Sequence, residues 1–224
     1  MSEAPNPSGT FLNALLTNAG LAPLNPVLSE RFENYLALLL RWNARVNLTA
    51  IRDEEGIVSR HFVESIACAQ ALPAGIRTLL DLGSGAGFPG IPIALCRPEI
   101  AVTLAESQGK KAAFLSEAVR VLGVSAAVHS GRAEALSVQF DCVALRAVDK
   151  MELAVQTASK LVRPGGWLAM MTTVADLPAL QEAAGAEFKW SNPLPLPGSD
   201  DRLISLGERA IERPTEKEAK SGNH

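Results

Sequence analysis

Four glycines, Gly83, Gly85, Gly87 and Gly90, fall within eight residues, directly after an apolar run that ends at Asp81-Leu82. Glycine reaches positive φ without a Cβ clash and lets a ligand approach the main chain closely. A strand, a glycine turn and a helix start in this order form a cradle for a nucleotide-like cofactor. The turn amides are expected to face the ligand, and Asp81 to accept hydrogen bonds from it. Two frames fit. Gly85-Ala86-Gly87-Phe88-Pro89-Gly90 satisfies G-x-G-x-x-G, which points to a dinucleotide. Asp81, Gly83, Gly85 and Gly87 satisfy acidic-x-Gly-x-Gly-x-Gly. The second frame is preferred, because it places the first glycine at the strand end and accounts for Asp81. A purely structural glycine turn is disfavoured by the glycine density. Glu106 ends the next strand, where a carboxylate can hold both ribose hydroxyls of a nucleoside. That role does not separate the frames, and a surface glutamate is the rival reading. Phe88 is a candidate wall of the cofactor pocket.

The preferred frame resembles motif I of the class I S-adenosylmethionine (SAM) methyltransferases, whose loop wraps a cofactor without phosphate. Ala133-Glu134 follows the third strand, where that class holds adenine; a helix-start acid is nearly as good a reading. Leu145-Arg146-Ala147-Val148 follows the fourth strand, the usual catalytic position. No Asn/Asp-Pro-Pro-aromatic signature stands there, and Cys142, within the strand, reads as core. Arg146 could meet the SAM carboxylate, the substrate or a structural ion-pair partner. No catalytic acid or base is expected. An acceptor with a free lone pair, such as guanine N7, needs only alignment, so catalysis would be by positioning.

Basic residues gather around this frame. Arg41, Arg45, Arg52, Arg60 and His61 lie near the end of a helical region, and Lys110, Lys111 and Arg132 near the ends of strands two and three. They form either a basic rim above the sheet or solvated helix charges offset by Asp53, Glu54 and Glu55. Trp42 reads as a packing residue.

Periodicity places the supporting elements. Residues 10–18 and 27–45 read as helices, the second with Phe32, Tyr35, Leu36, Leu39 and Leu40 at three-and-four spacing. A third helix starts at Asp53-Glu54-Glu55 and stops before Pro73. From Ile76 the pattern alternates. Strands are expected at 77–82, 101–105, 125–129, 140–145 and 167–172, with helices at 90–96, 110–122, 151–162 and 174–184. Pro164-Gly165-Gly166 reads as a turn. Segments 187–190, with 194–196, and 202–206 suggest a terminal antiparallel pair. The expected fold is α/β: a Rossmann-like, doubly wound, mostly parallel sheet preceded by a small helical unit. The expected division is a helical unit at 1–75, a cofactor-binding domain at 76–210 and a disordered tail at 211–224; Met1–Gly9 is also expected to be mobile.

The chain has 224 residues, 47% of them hydrophobic, enough for one large domain or a core domain with an appendage. A net charge of −3 argues against holding nucleic acid by bulk charge, but not against a local basic patch. Three dispersed cysteines and three histidines without ligand spacing suggest reduced thiols, a cytoplasmic setting and no metal. No apolar run is long enough to span a membrane, and the N-terminus is not of the secretory type.

Further motifs make a more specific resemblance. They are Trp42-Asn43-x-x-x-Asn47-Leu48-Thr49, Arg60-His61-Phe62-x-x-Ser65, Asp81-Leu82-Gly83-Ser84-Gly85-x-Gly87-Phe88-Pro89-Gly90-Ile91-Pro92 and Glu106-Ser107-x-x-Lys110-Lys111-x-x-Phe114-Leu115. Gly131-Arg132-Ala133-Glu134, Arg146-Ala147-Val148 and Leu161-Val162-x-Pro164-Gly165-Gly166 complete the set. Together, over about residues 30–172, they resemble the bacterial RsmG (GidB) family of ribosomal RNA methyltransferases. The resemblance implies SAM-dependent methylation of guanine N7 at nucleotide 527, in the 530 loop of 16S ribosomal RNA. The substrate would be a small ribosomal subunit or assembly particle, and the enzyme a monomer. By the motif match, Gly83, Phe88, Ala133, Glu134 and Arg146 would contact SAM, with Asp81, Gly85, Gly87 and Glu106 alongside. Asn47, Arg60 and His61 would face the substrate, and Arg45, Lys110, Lys111 and Arg132 would join them on the RNA side. Glu64 departs from the family's usual aspartate, and Glu106 from the aspartate of some members. A small-molecule methyltransferase, an NAD-dependent oxidoreductase and a non-catalytic RNA-binding factor remain alternatives. An acidic or apolar rim, NADH binding without SAM, and function surviving a Gly83→Asp change would mark them respectively.

Overall fold

The computed structural model describes residues 7–211 of the chain. Most of the stretch expected to be mobile at the N-terminus, and all but the first residue of the expected C-terminal tail, lie outside these residues. Helix α1 (Pro7–Asn18) starts earlier than its apolar pattern, because proline suits a first helical turn. Helix α2 (Pro26–Asn43) is capped by Asn25, whose side chain accepts from the Leu28 amide at 2.9 Å, and proline again opens the helix. Its buried face carries Phe32, Tyr35, Leu36, Leu38 and Leu39.

The third helical stretch is not regular. A single turn, α3 (Glu54–Gly56), passes into a π-helical segment, Ile57–Val63, and then into α4 (Glu64–Ala71). The wider π turns shift the phase of the helix. Ile57, Val58, Phe62 and Val63 stay buried, while Arg60 and His61 come to the end of the sheet. Such π segments are frequent at functional sites.

The sheet begins with β1 (Thr78–Leu82) and continues through β2 (Ala101–Glu106), β3 (Ala126–Ser130), β4 (Phe140–Arg146) and β5 (Val162–Thr173). These five are parallel to their neighbours in the order β3-β2-β1-β4-β5. The crossovers carry α5 (Gly90–Cys96), α6 (Gly109–Leu122) and α7 (Met151–Leu161). β5 starts five residues before its expected position. The Pro164-Gly165-Gly166 turn is a bulge inside it, since Phe140 pairs Val162 and Cys142 already pairs Trp167. After α8 (Leu177–Ala184) come β6 (Phe188–Trp190), β7 (Leu194–Pro195) and β8 (Arg202–Arg209). β8 lies between β5 and β6, antiparallel to both.

Alternation along β1 decides what each face holds. Leu79 joins a core shared with α1, α2, the π segment, α4, α5 and α6; Leu80 and Leu82 point to the opposite core, built with α7 and α8. The helices before residue 75 and one face of the sheet therefore share one apolar cluster. At its centre the rings of Phe32, Tyr35, Phe62, Phe88 and His61 pack with centroids 4.7–5.8 Å apart. Among the described residues no helix is long and apolar enough to cross a membrane.

Candidate active site

The order β2-β1-β4 reverses the chain direction of the crossovers between β1 and β4, so a crevice opens at their carboxyl ends. A cavity of about 1190 Å³ occupies this place. It is walled by the glycine loop after β1, the end of β2, the 3₁₀ turn Ala133–Ala135 after β3, the loop after β4 and the π segment.

The loop geometry decides between the two glycine frames. A pyrophosphate site needs free amides at the turn and at the helix start. Here they are used internally. Gly83 and Ser84 donate to the Ala105 carbonyl, both at 3.0 Å, and Gly87 and Phe88 donate to the Ser84 carbonyl. Gly85 donates to Glu106 Oε2 at 2.9 Å. At the start of α5, Gly90 donates to Asp81 Oδ2 at 3.0 Å, Ile91 donates to the Gly87 carbonyl, and residue 92 is proline. The first residues of that helix are also buried. The expectation of ligand-facing amides is thus corrected. The loop offers a shaped wall in which Gly83 and Gly85 carry no Cβ, which suits a nucleoside lacking phosphate.

Asp81 is also corrected. It shares the face of Leu79, lies fully buried and does not line the cavity. It caps α5 instead, and burial pushes its carboxyl up from 3.8 to about 7. Gly87 likewise lies behind the loop, where a Cβ would meet Ile91 and the Tyr35 hydroxyl. That hydroxyl donates to the Ala86 carbonyl, so α2 buttresses the loop directly.

The other expected cofactor residues converge. Gly83 (φ +74) and Gly85 (φ +57) line the cavity with Phe88, Glu106, Ala133, Glu134 and Arg146. A Cβ on Gly83 would come within 2.9 Å of Val148, so the glycine lets the loops after β1 and β4 touch. Glu106 holds the amides of Gly85 and Gln108 on its two oxygens, at 2.9 and 2.7 Å. Arg146 combines two of its three readings: it lines the cavity and is ion-paired with buried Glu64 at 2.8 Å. Its Nη1 is buried with no hydrogen-bond partner. This set fits SAM. It offers a carboxylate at the end of β2, a small buried residue after β3, and an unpaired guanidinium nitrogen on a residue that lines the site.

On the proposed RNA side, Arg60, His61, Lys111 and Arg132 line the cavity, whereas Arg45, Asn47 and Lys110 do not. Asn47 accepts from Arg52 at 2.9 Å and shapes the loop after α2. His61 stacks on Phe88, with centroids 4.7 Å apart, and its Nε2 lies 2.7 Å from Thr49 Oγ1. Burial, with the guanidiniums of Arg146 and Arg60, pushes His61 down to about 3, so the ring is neutral at physiological pH. Lys150 and Arg202 also line the cavity and were not singled out by the sequence. Lys150 and Ala147 have φ of 52° and 49°, which is uncommon for residues with a Cβ and marks a constrained loop. Cys142 is fully buried and its thiol is shifted upward by burial, so it is not a nucleophile.

The model of the GidB family, described as rRNA small subunit methyltransferase G, matches residues 28–190. The chain belongs to this family. A ribosomal RNA small subunit methyltransferase G of Stenotrophomonas maltophilia is 43% identical over 204 residues, covering 88% of this chain and 94% of that protein. The fold is that of SAM-dependent methyltransferases. A methyltransferase from Pyrococcus furiosus superimposes with a TM-score of 0.60 at 13% identity, over 82% of this chain and all of that one. A T. thermophilus 16S rRNA N2 G1207 methyltransferase, solved with AdoMet and guanosine, gives 0.53 at 16% identity, over 70% of this chain and 41% of that one.

Proposed function

We propose that this member of the rRNA methyltransferase family transfers the methyl group of SAM to N7 of a guanine. The target is nucleotide 527 in the 530 loop of 16S ribosomal RNA. The enzyme acts as a monomer on a small ribosomal subunit or assembly particle in the cytoplasm. The observation that carries the reading is the make-up of the crevice: a phosphate-free nucleoside cradle lies against cationic walls. Arg60, Lys111, Arg132, Arg146, Lys150 and Arg202 line it, against the carboxylates Glu106, Glu134, Asp149 and Asp176. The local excess is positive in a chain of net charge −3. Such a patch attracts RNA phosphates without general basicity.

When bound, SAM supplies an electrophilic methyl carbon on a sulfonium. Glu106 would hold the ribose hydroxyls, Ala133 and Glu134 the adenine, and Arg146 the carboxylate. Gly83 and Gly85 leave room for the chain between them, and Phe88 walls it. Arg60, Lys111, Arg132 and Lys150 would hold phosphates, so that an unstacked guanine enters the crevice. N7 carries its lone pair in the ring plane, so no proton has to be removed before attack. The carboxylates of Glu106, at the end of β2, and Glu64, at the head of α4, agree with that need, because both are tied up by hydrogen bonds. Catalysis then rests on alignment and exclusion of water.

The test is methyl transfer from labelled SAM to small subunits lacking the modification, mapped by cleavage at N7-methylguanine. One labelled guanine in the 530 loop is the expected result. SAM binding without RNA labelling would move the assignment to a small-molecule acceptor.

A further inference from the structure

Glu64 heads α4 directly after the π segment and is 1% exposed. Its two oxygens serve two arginines. Oε2 accepts from Arg146 Nη2 at 2.8 Å. Oε1 accepts from Arg202 Nε at 2.9 Å and lies 2.8 Å from Arg202 Nη2. Arg146 Nη2 also donates to the Arg60 carbonyl at 3.1 Å. One buried carboxylate thus serves two guanidiniums; Arg202 also meets the exposed Asp201 at 3.7 Å, whereas Glu64 is the one carboxylate paired with Arg146 among the described residues. Arg146 Nη1 is the buried nitrogen without a hydrogen-bond partner. A buried donor left without a hydrogen-bond partner is costly to hold, even where the rest of its guanidinium is paired. Arg146 Nη1 is thus left as a donor that a hydrogen-bond acceptor would complete.

We propose that Glu64 is a positioning residue for cofactor binding. It holds Arg146 so that the spare guanidinium edge takes the carboxylate of the methionine part of SAM. Arg202 keeps the second oxygen of Glu64 engaged, so the carboxylate cannot turn toward the incoming anion and repel it. The inference rests on the SAM reading of the crevice. A carboxylate suits this place because a planar guanidinium pairs with it in matched geometry. An RNA phosphate does not, because the Arg146 side chain is only 11% exposed and lies beneath the π segment. Arg202 comes from β8, so the antiparallel part of the sheet is built into the cofactor site.

The experiment compares two ligands on the full chain by calorimetry: SAM and decarboxylated SAM, which lacks only the carboxylate. Wild type is expected to prefer SAM by about 10- to 100-fold, the range for a charge-assisted hydrogen bond. In Glu64→Gln that preference is expected to collapse to within about threefold, because Arg146 loses the charged partner that holds its guanidinium in place. Binding of decarboxylated SAM should change little. Glu64→Asp should restore part of the preference, and Arg202→Gln should lower it less than Glu64→Gln does. Equal loss of both ligands in Glu64→Gln, or an unchanged preference, overturns the proposal. If Glu64→Gln shows no unfolding transition, the same ratio is read in Glu64→Asp and Arg202→Gln, and wild-type ratios in both overturn it. Wild type that binds both ligands equally also overturns it. Wild type that binds neither refutes the SAM reading itself.

Discussion

Replacing Asp81 by asparagine should stabilise this protein, and the gain should depend on pH. In the unfolded chain the carboxyl loses its proton near its ordinary value of 3.8; in the fold, burial carries that value to about 7. Between these two the folded state binds more protons than the unfolded state, so stability falls as pH rises. Above about pH 7 the loss is complete. Each tenfold change in the dissociation constant is worth about 1.4 kcal/mol, so the penalty reaches roughly 4 kcal/mol at most. Asparagine keeps an oxygen for the Gly90 amide and brings no charge. Its second polar atom takes the place of Asp81 Oδ1, which is buried without a partner. Urea unfolding of both proteins at intervals from about pH 4.5 to 8.5 measures the effect. The asparagine variant should gain on wild type through this window and hold a constant lead above it. Two parallel curves would show that Asp81 ionises as freely in the fold as outside it, and would refute the account of α5 capped by a buried carboxylate of raised pKa.

Three other variants test the start of α5 and the crevice. Gly90→Ala places a Cβ against Leu104 Cδ2 and Asp81 Oδ2, so unfolding free energy should drop by about 1–3 kcal/mol or more in urea titrations. Glu106→Ala frees the amides of Gly85 and Gln108 and removes the carboxylate proposed to hold the ribose; calorimetry should show SAM affinity falling about 10- to 100-fold while thermal stability changes far less. Lys111→Ala combined with Arg132→Ala should raise KM for ribosomal subunits and flatten its dependence on salt, by about one unit of log-log slope per lost phosphate contact. SAM affinity in that double variant should stay at the wild-type level.

Much of this architecture can be read from the chain because buried parallel strands are short apolar runs and their crossovers are amphipathic. The glycine loop and Glu106 are equally legible, since their spacing follows from strand and turn lengths. Asp81 was misplaced although alternation along β1 holds the answer: it shares a face with Leu79, which points into the helical core. The π segment leaves little trace, because over seven residues its apolar pattern differs from an α-helix by only a fraction of a turn. The bulge in β5 hides behind a Pro-Gly-Gly stretch that suits a free turn just as well. Arg202 and Glu64 lie 138 positions apart, and no local pattern joins them. The only hint is Glu64 itself, an acid among the apolar residues of a buried helix.

The place of β8 has a bearing on how the chain matures on the ribosome that makes it. Strands β1 to β5 can assemble in the order in which they emerge, each beside an earlier one. β6 cannot, because its partner is β8, which is translated after it. β8 also brings Arg202 to Glu64. A nascent chain that stops short of residue 202 can therefore hold the glycine loop, Glu106 and Arg146, yet leaves one oxygen of Glu64 without its guanidinium. The cofactor cradle is laid down first and locked only once β8 has emerged.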